Sequence, residues 1–70
     1  MMPFVFADVG ESYIIKKVSG SPELKKHMEN LGFVPGAEIT AVTQTGGNLI
    51  VNIKESRVAV SEEMAKKIFV

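Results

Sequence analysis

The segment Leu31-Gly32-Phe33-Val34-Pro35-Gly36, here called the hinge, constrains the fold of this 70-residue chain more than any other stretch. Gly32 follows an amphipathic run, where helices commonly end on a left-handed residue, and only glycine adopts that conformation without steric cost. Pro35 and Gly36 supply the fixed φ and the permissive φ of a tight turn. The hinge therefore predicts a helix before it and strands after it, with Phe33 buried between them.

The pattern before the hinge predicts a helix over residues 22–31. Ser21 is a suitable N-cap, because its hydroxyl can accept a hydrogen bond from a backbone N–H of the first turn. Pro22 fits the first helical position, where its missing N–H costs nothing. Leu24, Met28 and Leu31 recur at helical spacing and form one apolar stripe.

Residues 13–18 are rich in β-branched and aromatic side chains and predict the first strand, after a turn at residues 8–11. Tyr13 and Ile15 would share one face of this strand, whereas Val18 would fall on the other. A β-bulge near Lys16-Lys17 would put all three on one side, and bulges are common where a small barrel bends.

Three short strands are predicted after the hinge, over residues 38–44, 49–54 and 57–60. Gly46-Gly47 favours a hairpin turn between the first two, and Glu55-Ser56 is expected to turn between the next two. A short helix over residues 62–67 follows, with Ser61 as its cap. Residues 68–70 form a last strand that would pair with the first and cover its edge. The inward positions alternate along the strands: Ile39, Ala41, Leu49, Val51, Ile53, Val58 and Val60. The whole chain, residues 1–70, is thus predicted to be one small, mostly antiparallel β-barrel of five to six strands.

Composition limits the classes of function. Basic and acidic residues number eight each, and this zero net charge weakens the case for a general nucleic-acid binder. The chain has no cysteine, so it can form neither a disulfide nor a thiolate metal site. The apolar N-terminal segment is too short for an export signal, and no run approaches the roughly 20 apolar residues that span a bilayer. We expect a cytoplasmic protein without direct membrane insertion.

The residue inventory favours no catalytic chemistry. There is one histidine, and neither a G-x-S-x-G nucleophile motif nor a phosphate-binding loop occurs. Glu23 and His27 are spaced i and i+4 and could share one ligand on the helix surface. Two donors make only a weak site for ferrous iron or another divalent transition metal. Asp8 or Glu55 could complete it, and an exposed polar pair without a metal is the alternative.

With these elements in place, the sequence resembles the ferrous iron transport protein A (FeoA) family, whose members are small cytoplasmic proteins with an SH3-like barrel. The L-G-x-x-P-G hinge and the tail Ala65-x-x-Ile68-x-Val70 are its most specific parts. The chain departs from many relatives at Glu55, where they carry glycine, and at Ser61, where they carry a basic residue. The resembling segments are residues 10–18, 27–36, 47–51, 57–60 and 65–70.

The resemblance implies a non-enzymatic accessory role in bacterial ferrous iron uptake, by contact with the cytoplasmic GTPase part of a membrane permease. We hypothesise that the helix and hinge make this contact, although their apolar residues could instead pack onto the barrel. No nucleic acid is expected as a partner, and the chain is expected to be a monomer or a weak homo-oligomer. The candidate contact residues are Lys25, Met28, Leu31, Phe33 and Pro35.

Two other hypotheses remain open at the level of sequence. One is a nucleic-acid-binding small barrel that tracks a strand with Lys16, Lys17 and exposed aromatic side chains. The other is a metal-sensing domain that uses Glu23 and His27. A fall in affinity with salt would identify the first, and calorimetry with Fe²⁺ on wild type and His27→Ala would test the second.

Overall fold

The computed structural model of the chain describes all 70 residues. A 3₁₀ turn, Phe4–Phe6, precedes strands β1 (Ser12–Ile14) and β2 (Lys17–Val18) and helix α1 (Pro22–Asn30). Strands β3 (Glu38–Thr45), β4 (Asn48–Ile53) and β5 (Ser56–Ser61) follow, then helix α2 (Glu62–Ala65) and strand β6 (Ile68–Phe69). All strand pairs are antiparallel, in a four-stranded sheet of order β1-β3-β4-β5 and a two-stranded sheet of β2 and β6. The predicted barrel of five to six strands with two inserted helices is confirmed.

The predicted first strand is divided in two because the chain changes partner. The Ile15 N–H donates to the Ala37 carbonyl (2.9 Å), next to β3, whereas the Lys16 N–H donates to the Phe69 carbonyl (2.7 Å) in β6. This transfer connects the two sheets at the place where a bulge is predicted. Tyr13, Ile15 and Val18 all contribute to the hydrophobic core, but a break between β1 and β2 brings this about rather than the predicted bulge. The irregular register lies in β3, between Ala41 and Thr43.

Of the seven inward strand positions that the patterns predict, six are buried in the core, and Val58 is half-buried against it. In β4, Leu49, Val51 and Ile53 are all at most 1% exposed, while Ile50 and Asn52 between them are half-buried. No polar or charged residue is buried, so the core contains no polar group that needs a partner. The largest fully buried side chains, by contrast, come from outside the four-stranded sheet: Phe4, Phe33, Ile15 and Met28.

The N-terminal segment closes the barrel, a role that the sequence patterns do not predict. Met2 and Val70 exchange backbone hydrogen bonds of 2.9 Å in both directions, and Pro3 forms a β-bridge with Phe69. Strand β6 therefore lies between β2 on one side and the N-terminal segment on the other. The prediction that the last strand pairs with the first is confirmed for its second half, β2.

Two boundaries differ from those predicted. The second hairpin turns at Lys54-Glu55 rather than at Glu55-Ser56, since Val51 pairs with Val58 and Ile53 with Ser56. Helix α2 ends at Ala65 instead of residue 67. There the Lys67 N–H donates to the Met64 carbonyl (3.0 Å), only three residues earlier, which tightens the last turn before β6.

Candidate partner-binding site

The end of α1 fixes the direction in which the hinge leaves the helix. Gly32 has a φ of 99°, in the region that favours glycine. The Phe33 N–H donates to the Met28 carbonyl and the Gly32 N–H to the Glu29 carbonyl, both at 2.9 Å. These two bonds form a Schellman motif, which satisfies carbonyls that the helix end leaves free. The motif turns Phe33 back into the core, where it is 1% exposed.

The second half of the hinge is a turn attached to the first strand. The Ala37 N–H donates to the Val34 carbonyl (3.1 Å), with Pro35 and Gly36 at the two central positions. Gly36 has a φ of 91°, as a type II turn requires at its third residue. Its N–H donates to the Ile15 carbonyl (2.8 Å), so this bond holds the turn beside the point where β1 passes into β2.

A cleft forms where α1, the hinge and β2 meet. It has a volume of about 200 Å³, and five residues line it: Val18, Lys25, Glu29, Phe33 and Pro35. The half-buried Val18 and the exposed Pro35 give it an accessible apolar surface, and the bordering Phe33 is only 1% exposed. Lys25 and Glu29 are exposed one helical turn apart on its rim. An apolar surface with charges at the edge can hold an apolar side chain of a protein partner and orient its polar neighbours.

The structure separates the predicted contact residues into two groups. Lys25 and Pro35 are exposed at the cleft, and Phe33 borders it with a side chain that is only 1% exposed. Met28 is fully buried and packs in the core, and Leu31 is half-buried against it. The Met28 and Phe33 side chains therefore stabilise the fold and offer almost no surface to a partner, which is the alternative stated for them above.

Two lining residues were not predicted from the sequence. Glu29 could have been found, because it stands four residues after Lys25 on the same helix face. Val18 carries no local signal, since its place beside α1 depends on the pairing of β2 with β6.

A larger depression lies on the outer face of the four-stranded sheet. It has a volume of about 420 Å³ and is lined only by polar residues: Glu38, Thr40, Asn52 and Lys54. Its polar groups are partly engaged across the strands, because Ser12 Oγ and Thr40 Oγ1 are 2.8 Å apart and Arg57 Nε donates to Asn52 Oδ1 (3.2 Å). A partner there would displace water mainly from polar groups and would meet no hydrophobic side chain. The smaller cleft is therefore the better candidate contact site.

The predicted metal donors on α1 are not joined by a third donor side chain. Glu23 and His27 are both exposed on α1. Nowhere does the chain bring together three or more histidine, aspartate or glutamate side chains that could hold a metal ion, so neither Asp8 nor Glu55 joins them. This pair could supply at most two of the four ligands that Zn²⁺-like ions take in proteins.

The lysines proposed for nucleic-acid binding have different surroundings. Lys17 Nζ lies 5.7 Å from the centroid of the Phe69 ring, at a cation–π distance, so the two side chains contact each other across β2 and β6. Lys16 is exposed, and so is Phe6, at 72%. No helix has the length and apolar character needed to cross a membrane.

The two antiparallel sheets, the helix inserted after the first strand and the closing terminal strand define a small barrel of the SH3-like class. Comparison with known proteins gives the family. The chain belongs to the FeoA domain family, whose model matches residues 2–70. This is a family of ferrous iron transport, as the resemblance of the hinge and tail implies.

Three relatives illustrate the similarity. A Methanocaldococcus jannaschii protein that bears the name Fe(2+) transport protein A is 29% identical over 70 residues, which cover 100% of this chain and 85% of that protein. The solution structure of iron(II) transport protein A from Clostridium thermocellum has 27% identity and a TM-score of 0.90, covering 97% of this chain and 43% of the other. The crystal structure of Stenotrophomonas maltophilia FeoA complexed with zinc, described as a prokaryotic SH3 domain protein, has 23% identity and a TM-score of 0.86, covering 99% of this chain and 88% of the other.

Proposed function

We propose that this protein is a non-enzymatic accessory protein of ferrous iron uptake, acting by contact on the cytoplasmic GTPase part of the ferrous iron permease. The observation that carries the proposal is the match of the FeoA domain family over residues 2–70. Contact is favoured over carriage of the ion, because Glu23 and His27 supply fewer donors than a firmly bound divalent transition metal takes. The protein would regulate or position the permease and leave the transport chemistry to it.

The cleft beside the hinge is the surface we assign to this contact. An apolar side chain of the GTPase part would rest against Val18 and Pro35, in a site rigidly held by the Schellman motif and the type II turn. Lys25 and Glu29 carry opposite charges on the rim and would select the orientation of the incoming segment. Small pockets that receive one anchor side chain commonly supply much of the binding energy of an interface.

The proposal is tested with the purified chain, the isolated GTPase domain of the permease and the intact permease in membranes. Binding and GTP turnover are measured for wild type, Lys25→Glu and Lys26→Glu. The two lysines are adjacent and exposed on α1, but only Lys25 lines the cleft. We expect Lys25→Glu to weaken binding about tenfold, equivalent to about 1.4 kcal/mol, and Lys26→Glu to change it less than about twofold.

Two outcomes would contradict different parts of the proposal. If the chain neither binds the GTPase domain nor alters GTP turnover by the intact permease, the accessory role is wrong. If it binds but the two lysine variants weaken binding equally, the role stands and the contact surface lies elsewhere. Both variants must first show the same thermal unfolding temperature as wild type, since both side chains are exposed.

A further inference from the structure

Strand β5 forms an open edge of the four-stranded sheet. It pairs with β4 on one side, and no strand pairs with it on the other. Apart from β4, the only element in substantial contact with β5 is α2, which follows it directly in the chain. An uncovered strand edge presents unpaired backbone groups to any strand that can align with them.

The hairpin geometry identifies which backbone groups point outward. In a two-residue hairpin the residues that flank the loop, Ile53 and Ser56, form a hydrogen-bonded pair, and bonded and non-bonded pairs then alternate. The even-numbered residues of β5 therefore face β4. The Glu62 N–H continues the series by donating to the Gly47 carbonyl (2.9 Å). Arg57, Ala59 and Ser61 direct their N–H groups away from the sheet, and Arg57 and Ala59 direct their carbonyls there as well. The Ser61 carbonyl, at the N-cap of α2, is already used as the acceptor of the first hydrogen bond of that helix.

The side chains along this edge do little to block it. Natural sheets protect their edges with lysine, proline, bulges or very short strands. Strand β5 has six residues in regular register, and its only charged residue, Arg57, is held by Asn52 within the sheet. The opposite edge strand, β1, has only three residues before the chain transfers to the second sheet. The edge of β5 is thus the better template for an additional strand.

We propose that two copies of this chain pair antiparallel through β5, about a two-fold axis at Ala59. The Ala59 residues of the two copies exchange both backbone hydrogen bonds, and each Ser61 N–H donates to the Arg57 carbonyl of the second copy. The strands continue one another into an eight-stranded sheet. The dimer is independent of the permease contact, because the cleft beside the hinge is lined by no residue of β5.

A two-fold axis at Ala59 gives a more favourable set of side-chain pairs than an axis at Arg57 would. It places Val58 of one copy opposite Val60 of the other on the inner face, so the half-buried Val58 gains an apolar neighbour. Arg57 lies opposite Ser61, whereas centring the axis on Arg57 would set two guanidinium groups against each other. The net charge of zero adds no long-range repulsion between copies.

The contact is small, so the dimer is expected to be weak. Five residues of each strand pair, which is about 17 Å of strand, and stable dimers usually bury more than about 1,000 Å². The self-complementary side-chain register favours a second copy over an unrelated extended segment as the occupant. Dimers should therefore appear only at chain concentrations on the order of hundreds of micromolar or higher.

The test measures self-association of the full chain by sedimentation velocity and by amide hydrogen exchange, from about 10 μM to about 1 mM, a range chosen for weak interfaces. Protection of the Ala59 amide should rise with concentration, while the Val58 amide, already bonded to β4, should not change. Ala59→Lys places two like charges opposite each other at the axis and should raise the dissociation constant at least about tenfold. Gln44→Lys adds the same charge to the exposed part of β3, away from this edge, and should leave association unchanged.

A charge-swap mixture makes the test specific to the axis. Ala59→Lys mixed with Ala59→Glu should form a heterodimer, since the two new side chains face each other only when Ala59 meets Ala59. The proposal is overturned if the wild type stays monomeric at about 1 mM, or if Ala59→Lys associates as wild type does. Protection of the Ala59 amide only after another protein is added would also overturn it and would identify that protein as the occupant.

Discussion

At the scale of single residues, the backbone angle of Gly32 determines whether the chain can leave α1 and enter the hinge. An added Cβ would meet Ile53 Cγ1 at 3.6 Å, an ordinary contact, so space is available. The cost of a side chain lies in the φ of 99°, which a β-branched residue strongly disfavours. Gly32→Val should therefore destabilise the fold by about 1–3 kcal/mol. Thermal unfolding measures it, at about 4–8 °C per kcal/mol for a domain of this size.

Gly47→Ala is the matched control for this prediction. Gly47 does not have a positive φ, and no atom lies within 4 Å of its would-be Cβ. The alanine should change stability by less than about 0.5 kcal/mol. If Gly32→Val unfolds at the same temperature as Gly47→Ala, the left-handed exit of α1 contributes nothing to stability and our account of the hinge is wrong.

Lys54 has a positive φ, a backbone conformation that its residue type does not predict. It has a φ of 55° in a turn that lacks glycine and asparagine, the usual residues for such angles. The sequence prediction therefore placed the turn one residue late. Pairing the inward valines would have located it, because Val51 opposite Val58 leaves only Lys54 and Glu55 for the loop. Here the side-chain register overrides the local preference of the turn.

At the scale of elements, α1 begins with an N-cap that can be removed without touching the core. Ser21 Oγ accepts a hydrogen bond from the Leu24 N–H at 3.2 Å, and Pro22 occupies the first helical position. Ser21→Ala leaves that N–H without its side-chain acceptor and should lower the free energy of unfolding by about 1 kcal/mol. Urea unfolding measures the change in midpoint at a constant slope.

Ser21→Asp is the control for the cap. Aspartate also accepts the N–H bond, and its charge is favourable at the positive end of the helix. It should retain or exceed wild-type stability. Equal losses for Ser21→Ala and Ser21→Asp would mean that the hydroxyl acts through something other than the cap.

The elements differ in how far sequence alone predicts them. Helix α1 was predicted to within one residue, because its cap, proline and terminal glycine are local signals. The division of the first strand was only approximated, because it depends on Ile15 and Lys16 bonding to different sheets. The candidate site shows the same contrast. Lys25 and Pro35 follow from α1 and the hinge, but Val18 reaches the cleft only through the pairing of β2 with β6.

At the scale of the whole molecule, the barrel is closed by its two ends. The N-terminal segment bonds to Val70 and bridges Phe69, and Phe4 is fully buried in the core. The run Phe4-Val5-Phe6 has no period that separates an inward residue from an outward one, so the sequence did not reveal which phenylalanine is buried. The fold decides it, because the 3₁₀ turn directs Phe4 inward and leaves Phe6 72% exposed.

These two phenylalanines provide a matched test of the closure. Phe4→Ala removes a fully buried ring that lies edge-on to Tyr13, with centroids 6.2 Å apart, and should cost about 3–5 kcal/mol. A chain of this length has a total stability of only about 4–10 kcal/mol, so this variant should be partly unfolded at 37 °C. Phe6→Ala should change stability by less than about 0.5 kcal/mol. Urea unfolding followed by circular dichroism measures both.

A graded substitution keeps the test quantitative if Phe4→Ala does not fold. Phe4→Leu retains most of the apolar volume and should cost about 1–2 kcal/mol, which leaves a measurable transition. The same loss should accelerate hydrogen exchange of the Met2 and Val70 amides, because they bond to each other across the closure that Phe4 holds. Two results would contradict this account: an equal loss of unfolding free energy for Phe4→Leu and Phe6→Ala, or wild-type exchange rates for those two amides. Either would mean that the N-terminal segment packs on the outside of a barrel that is already closed.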